Sequence, residues 1–466
     1  MGSPAPTRVY PLTLVLTLVA MCAFGVFIVR DYQDQGGIHG VAYTGAAGAQ
    51  AAVPLATPAV GATGVAAPGA GSSSVTNTTG GSAGQAGTAG HTTGGGTAST
   101  KQACQNGTIK IGAIIPITGP VTQQTAADAL ITYFKYKVNG QGGINGCQVD
   151  FTYLDDGGLD NQKAAADARE LVQEDGVFAI VGNIEPVTTG VTEPYFVQQH
   201  VPVVGVDGVG VNEYNSPVEY SFAESPDGFG ISTVNFAKTK GCMKVAVFYL
   251  DFDFGHQSFS AMQNQTGRNG QSIVYSNAEN ISSQSYRTDT LSAMGSHPDC
   301  VINIMDANSV TREFQAMQQN GWYPMIVGTT STSDPVVNGQ EKDWLSNSSH
   351  VVYVQRNYQP ANANVPEVQE WVQMESRYFG SQFDPNSYAE GAWLAAKTFT
   401  DAATLLGTNL TRNSLLQALD TMRAYHNGFE PDITMSNDHG PNKQVMWMQW
   451  NAAQDQYLPI TGFQPW

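Results

Sequence analysis

The feature that most constrains the fold is a regular alternation of short apolar runs with amphipathic helical patterns, which begins near residue 104. The runs TIKIGAIIPITG, QVDFTYLDD, VFAIVG and VPVVGV are rich in β-branched residues, which is typical of buried parallel strands. Between them, apolar residues recur at three-to-four spacing from Ala126 to Val138, and a second helix is predicted to begin at Asp160 and end at Gly176. Successive β-α units predict a parallel sheet with helices on both faces.

The alternation restarts near Gly228, where KVAVFYLD, QSIVYSN, CVINIMD and YPMIVGT predict a second parallel sheet. The run SYAEGAWLAAKTFTDAATLLG then predicts one long amphipathic helix, and QVMWMQWN and QYLPITGF predict two closing strands. The predicted fold class is therefore α/β, with two doubly wound parallel-sheet lobes joined by a multi-strand hinge. Ligands of open parallel sheets bind beyond the carboxyl ends of the strands, so two facing lobes predict one enclosed site.

These patterns divide the chain into six predicted segments. They are a membrane anchor at 1–35, a disordered linker at 36–100, the first lobe at 101–223, the second lobe at 224–352, a return to the first lobe at 353–425, and a C-terminal part mostly in the second lobe at 426–466.

The N-terminal segment Pro11–Val29 is mostly apolar and lies between Arg8 and Arg30. At helical rise it reaches roughly 28 Å, about the thickness of a bilayer core. We predict an uncleaved signal anchor, with a lipid anchor at Cys22 and a cleaved signal peptide as alternatives. The linker that follows consists almost entirely of Gly, Ala, Ser, Thr, Pro and Val, which cannot bury enough apolar surface to fold. Such an anchor places the lobes on the extracellular face of the cell membrane.

The charge and the motifs exclude several classes of function. The chain carries 39 acidic and 21 basic residues, which makes nucleic acid an improbable partner. The sequence contains no GxxxxGK[ST] phosphate loop and no HExxH, and no GxSxG occurs outside the linker at 36–100. We therefore predict a protein that is not an enzyme and has no cofactor or metal.

Four cysteines follow the anchor, and four allow three disulfide pairings. Cys104, Cys147, Cys242 and Cys300 each precede an apolar run and so lie near the entrance of a predicted strand. Neighbouring parallel strands bring their entrances together, which predicts the pairs Cys104–Cys147 and Cys242–Cys300. The alternative is four buried free thiols, and metal binding is disfavoured because no CxxC or HxxxH spacing occurs.

The run GGINGCQVDFTYLDDG, together with IKIGAIIPITGP, HVPVVGV, KVAVFYLDFDFG and SYAEGAWLAA, resembles the extracellular ligand-binding proteins of the branched-chain amino acid ABC transporter family. Those proteins have the type I periplasmic binding fold, also called leucine/isoleucine/valine-binding-like. The resemblance covers about residues 104–466. It implies that two lobes close on a small molecule and deliver it to an ABC permease in the membrane.

The resemblance also implies ligand residues in the loops that follow the strands. They are Thr118, Gln123, Asn183, Glu185, Thr188, Thr189, Asp207, Gly208, Asp253, Phe254, Asp306, Asn308, Thr329 and Thr330. In amino-acid binders of this family a first-lobe hydroxyl holds the ligand carboxylate, a role that Thr188 could fill, and a second-lobe carboxylate holds the ammonium. This chain departs from that plan, since Asp207 replaces a small or hydroxyl residue and Thr330 replaces a Glu.

Each candidate residue has a purely structural alternative. Asp155 and Asp156 suit turn chemistry, Thr188 suits a helix cap, and Asp253 suits a solvated loop. Glycines beside Asp207 would let a ligand approach the backbone. The acidic loops favour an amino acid, an amide or a polyol as ligand. A ligand sensor or a surface scaffold with the same fold is the alternative to transport.

Overall fold

The structure is a computed structural model that describes residues 102–210, 212–435, 439 and 442–466. The predicted anchor at 1–35 and linker at 36–100 lie outside these residues. Within the part of the chain that the structure describes, no helix combines the length and the apolar character needed to cross a bilayer.

The first sheet contains six strands. These are β1 (Cys104–Gln105), β2 (Thr108–Ile114), β3 (Gln148–Leu154), β4 (Ala179–Asn183), β5 (Val203–Val206) and β6 (Glu219–Ser221). Strand β2 pairs in parallel with β3 and β4, and β5 and β6 continue the parallel array. The two-residue β1 pairs antiparallel with the start of β2. The predicted parallel sheet of the first lobe is confirmed.

The second sheet contains eight strands. These are β7 (Lys244–Leu250), β8 (Ser272–Glu279), β9 (Cys300–Ile304), β10 (Met325–Gly328), β11 (Val352–Arg356), β12 (Gln444–Asn451), β13 (Gln456–Pro459) and β14 (Gln464–Pro465). The order β8-β7-β9-β10-β11 is parallel, and β12 and β13 extend it antiparallel. Both predicted closing strands are present.

Twelve α-helices connect the strands of the described residues. They are α1 (Gln124–Ile131), α2 (Asn161–Arg169), α3 (Thr189–Gln199), α4 (Pro226–Thr239), α5 (Asp253–Asn269), α6 (Arg287–Gly295), α7 (Ala307–Gln319), α8 (Pro335–Gln340), α9 (Lys342–Leu345), α10 (Pro366–Phe379), α11 (Ser387–Leu406) and α12 (Arg412–Asp420). Helix α1 continues in π-helical geometry over Thr132–Val138, and α2 does so over Glu170–Glu174. The predicted cap of α2 is present, since the Asp160 side chain accepts hydrogen bonds from the backbone N–H groups of Gln162 and Lys163.

Each sheet buries apolar residues on both faces. On the first sheet, Ile111 and Val181 belong to one apolar cluster, and Ile180 and Val203 belong to another. Consecutive strand residues point to opposite faces, so this division follows directly from the strand pattern. The second sheet is likewise covered by two clusters. Both lobes are therefore doubly wound, as predicted.

Two disulfides join the cysteine pairs predicted from the sequence, Cys104 to Cys147 and Cys242 to Cys300. The second pair follows the predicted geometry, because Cys300 begins β9 and lies opposite Val245 of the parallel neighbour β7. The first pair differs in detail, since Cys104 lies on the antiparallel strand β1, which a tight turn separates from β2.

Three segments of the chain connect the lobes, and the Asn442 side chain makes hydrogen bonds to residues in all three. Its Nδ2 donates to the Phe222 carbonyl at 3.3 Å, to the Asn357 carbonyl at 3.5 Å and to Glu430 Oε2 at 2.9 Å. Strand β11 pairs within the second sheet, so the predicted boundary at 352 moves to the end of that strand. Helix α11 then packs on α1, β4 and β5 of the first lobe.

Candidate functional site

A cleft lies where the strands of both sheets end. Its lining comes from the loops after β2, β4, β5 and β6 of the first lobe, from those after β7 to β11 of the second, and from α4 and α11. It encloses about 1100 Å³ of empty space, part of which is open to solvent. The position is the one that open parallel sheets give to their ligands, beyond the carboxyl ends of the strands. The cleft is therefore the candidate functional site.

Six of the residues predicted from the sequence line this cleft. They are Asn183, Asp207, Phe254, Asp306, Thr329 and Thr330. The first two belong to the first lobe, and the other four belong to the second. Both lobes therefore face the same space.

Eight predicted residues are not among those that line the cleft. They are Thr118, Gln123, Glu185, Thr188, Thr189, Gly208, Asp253 and Asn308. Thr118 and Asn308 are exposed, and Asp253 begins α5 with its side chain in solvent. Gln123 lies at the N-terminus of α1, where its backbone N–H donates to the Pro116 carbonyl.

The other members of this group make contacts inside the first lobe. Thr188 Oγ1 donates to Asp156 Oδ2 at 2.7 Å, and both side chains are fully buried. Glu185 accepts hydrogen bonds from Asn183 and from Thr192 Oγ1. Gly208 donates its backbone N–H to Glu213 Oε2 at 2.9 Å. These polar groups are already engaged by the protein.

The first lobe concentrates buried carboxyl groups behind the cleft. Asp156, Glu185, Glu213 and Glu219 are buried, and Asp207 lies among them at the surface of the cleft. Burial raises the pKa of Glu185 to about 8 and that of Asp207 to about 6, while the pKa values of Glu213 and Glu219 rise well above the usual range. Most of these groups therefore hold a proton at neutral pH.

Asp207 follows β5 and accepts a side-chain hydrogen bond from Glu213, which keeps the shared proton on Glu213. Asp207 Oδ1 also accepts from the backbone N–H of Val209 at 3.4 Å. The second oxygen, Oδ2, is buried and receives no hydrogen bond from a nitrogen or hydroxyl donor of the described residues. Asp207 Oδ2 therefore gives the first-lobe wall of the cleft an oxygen that can still accept a hydrogen bond.

Asp306 follows β9 on the opposite lobe and caps α7. Its Oδ1 accepts from the backbone N–H groups of Asn308 at 2.9 Å and Ser309 at 3.2 Å. Its Oδ2 is buried and likewise lacks a partner within the described structure. Both walls therefore carry a carboxylate whose Oδ1 accepts from backbone N–H groups and whose Oδ2 has no nitrogen or hydroxyl donor among the described residues, although Asp207 also receives the hydrogen bond from Glu213.

Most of the remaining lining is apolar and was not predicted. Phe229, Phe252 and Met305 come from the second lobe, and Tyr358 and Tyr388 come from the returning segment and α11. Phe252 stands between Asp251 and Asp253 in the predicted strand exit, so its position could have been found from the strand pattern. The two tyrosines carry no such local signal, because the tertiary fold alone brings them to the cleft.

A glycine beside the cleft serves packing within the protein. Gly205 has φ +75°, and a Cβ added there would lie 2.2 Å from the Cβ of Ala395 on α11. The close approach that the sequence predicted for a ligand is therefore, at this position, an approach of β5 to a helix of its own lobe.

Several solved structures share this architecture, although no curated protein matches the chain. A fatty acid ABC transporter substrate-binding protein from Thermomonospora curvata has a TM-score of 0.69 at 16% identity, covering 79% of this chain and 95% of its own. A leucine binding protein from Thermotoga maritima MSB8 has a TM-score of 0.65 at 16% identity, covering 76% of this chain and 98% of its own.

A third similar structure is an ABC transporter solute-binding protein from R. palustris in complex with benzoate, with a TM-score of 0.64 at 15% identity, covering 76% of this chain and 96% of its own. At these identities the structures establish a shared fold. The family model described as periplasmic binding protein matches residues 108–455, well over half of the chain. The resemblance seen in the sequence is thereby confirmed, and the chain belongs to the periplasmic binding protein family.

Proposed function

We propose that this protein is the extracellular solute-binding component of an ABC-type importer, and that it captures a small molecule by closure of its two lobes. The observation that carries this proposal is one cleft lined by the strand ends of both lobes. A ligand there contacts both lobes at once, so it binds the closed form more tightly than the open one and shifts the population towards closure.

Contacts between the lobes support this mechanism. Val121 and Leu159 of the first lobe belong to the same apolar cluster as Phe252 and Met305 of the second. Closure therefore removes apolar surface from water in addition to making ligand contacts. The three connecting segments, which the hydrogen bonds of Asn442 hold together, would serve as the hinge for the closing movement of the lobes.

The remaining parts of the proposal concern location and partner. The segment Pro11–Val29 would anchor the chain, and 36–100 would give the lobes reach on the extracellular side. The closed lobes would then present their ligand to an ABC permease in the same membrane. No catalytic step is part of this function.

A thermal-shift screen of the full chain with amino acids, amides, polyols, organic acids and organic amines tests the proposal. A ligand at a hundredfold excess over its dissociation constant stabilises the folded state by about 2.7 kcal/mol. Hydrogen exchange should then slow on both walls of the cleft, at the loops after β5 and β9. Stabilisation without protection of both walls, or no stabilisation in any class, would contradict solute capture and favour the scaffold alternative.

A further inference from the structure

We propose that the cleft binds a molecule with an apolar body and a protonated amine but no carboxylate, and that Asp207 and Asp306 hold the amine between the lobes. This inference rests on the proposed function and specifies its ligand. It departs from the amino acid, amide and polyol classes that the sequence favoured.

The apolar body of the ligand is inferred from the walls. Aliphatic and aromatic side chains line most of the cleft, including Leu250, Phe252, Phe254 and Met305 of the second lobe. Phe254 also packs edge to face on Phe229, with ring centroids 5.6 Å apart. Such walls gain free energy by covering the apolar surface of a ligand.

The amine is inferred from the two carboxylates on opposite walls. Asp207 Oδ2 and Asp306 Oδ2 are both buried without a nitrogen or hydroxyl donor among the described residues. A buried acceptor without a donor costs free energy, and a protonated amine supplies several donors together with the opposite charge. The Tyr388 hydroxyl lies within electrostatic reach of both groups, because both carboxylates add to the effect of burial in raising its pKa.

The absence of a carboxylate on the ligand is inferred from what the cleft lacks. Of the described residues that line it, none is a lysine, arginine or histidine. The nearby Arg356 is buried, is not among the lining residues, and directs its Nη2 to Glu390 of α11, so its guanidinium is engaged inside the protein. A ligand carboxylate would meet two acidic side chains in a low-dielectric site, which is unfavourable.

The Thr188 hydroxyl, which the family resemblance would assign to a ligand carboxylate, already has a hydrogen-bond partner in the protein. Thr188 Oγ1 donates to Asp156 at 2.7 Å, so a carboxylate of the protein occupies it. A metal ion is a poor alternative occupant, because the described residues contain no group of three or more His, Cys, Asp or Glu side chains placed to hold one. An organic cation fits both the charge and the apolar walls.

A matched ligand panel tests the inference. Primary amines with phenyl, indolyl or alkyl bodies are compared with the carboxylate and alcohol of the same body, by titration calorimetry on the full chain at pH about 7.5, where alkyl amines are protonated. We expect the amines to bind at least tenfold more tightly than both partners. Equal or tighter binding of the carboxylates or alcohols would overturn the inference while leaving solute capture intact. Failure of every compound class would overturn both.

Two substitutions locate the amine. Asp207→Asn and Asp306→Asn keep the size of each side chain, and Asn at position 306 can still cap α7. Each should weaken amine binding by about ten- to a hundredfold, the loss expected for one charged hydrogen bond. The exposed Asp343→Asn is the matched control and should leave the affinity unchanged. Equal affinity in all three variants would place the amine elsewhere and refute the inference.

Discussion

The two lobes share one architecture but differ in how they form their walls of the cleft. Behind the first-lobe wall, buried carboxyl groups cluster around Asp207, and burial raises their pKa values. The second-lobe wall consists mainly of aromatic and aliphatic side chains, with Asp306 held at the start of a helix. The comparison shows that each lobe places one aspartate at the cleft, but only the first lobe surrounds its aspartate with further buried carboxyl groups, most of which are protonated.

The disulfides give the largest expected difference between the lobes. They close stretches of 43 and 58 residues, so each should contribute about 4 kcal/mol through chain entropy. Cys242 and Cys300 are fully buried, whereas Cys104 is exposed. Replacing Cys242 and Cys300 with Ala should therefore cost about 1–2 kcal/mol more than replacing the first pair, because it also leaves a cavity. Denaturant unfolding of the two double variants measures this, and equal losses would show that burial of the second pair contributes nothing.

The buried acids predict that the protein becomes more stable as the pH falls from about 8 to about 5. Their folded pKa values lie above the ordinary carboxyl value of 4.5, with Glu185 at about 8. The folded state therefore binds more protons than the unfolded state in this range, and each such proton changes the free energy of unfolding by about 1.4 kcal/mol per pH unit. Calorimetric melting across this range checks the sign, and a rise in Tm with pH would contradict it.

A pair of substitutions tests which lobe contributes more to this pH dependence of stability. Neither carboxyl oxygen of Glu219 has a partner among the described residues, whereas Glu313 of the second lobe accepts from Asn303 at 3.1 Å. Glu219→Gln should raise the Tm near pH 8 by several degrees, because the unfolded state no longer gains free energy by ionising this residue, and should leave the Tm nearly unchanged near pH 5. Glu313→Gln should raise the Tm near pH 8 by less. A larger rise for Glu313→Gln than for Glu219→Gln would contradict the proposed difference between the lobes.

Binding of an amine should depend on pH through Asp207. Its pKa of about 6 means that the carboxylate is ionised near pH 7 and mostly protonated near pH 5, so the affinity should fall about tenfold between them. The titratable groups that interact with Asp207 through charge or a hydrogen bond are carboxylic acids and tyrosines. They are Asp156, Glu185, Glu213, Glu219, Tyr214, Tyr358 and Tyr388. Asp207→Asn should show a flatter profile, and an unchanged profile in this variant would assign the titration to another group.

The smallest expected effect concerns Thr188. Thr188→Val removes the hydrogen bond to Asp156 and should cost about 1–2 kcal/mol of stability. Amine affinity should change less than about threefold, because this hydroxyl faces the interior of the first lobe. A large loss of amine affinity with little loss of stability would show that Thr188 contacts the ligand.

Local patterns explain why much of the fold was predictable. The period of apolar residues sets each strand and helix, and parallel pairing brings cysteines at strand entrances together, as for Cys242 and Cys300. The ends of the strands likewise placed Asp207 and Asp306 in loops at the cleft. These features depend on a few neighbouring residues and therefore leave a signal in the sequence.

The rest of the site depends on distant partners. Thr188 turns away from the cleft because Asp156, which lies 32 residues earlier, accepts its hydrogen bond. Tyr358 and Tyr388 reach the cleft because the chain returns to the first lobe after β11. No local pattern encodes the direction in which a loop side chain turns, so the sequence could not show that Glu185, Thr188 and Thr189 lie outside the lining of the cleft.

A crystal structure of the full chain with its tightest-binding amine tests the central claim most directly. We expect the ligand nitrogen within hydrogen-bond distance, about 3 Å, of both Asp207 Oδ2 and Asp306 Oδ2, with the apolar body against Phe252 and Phe254. A ligand that contacts only one lobe, or one whose carboxylate lies between the two aspartates, would contradict this account.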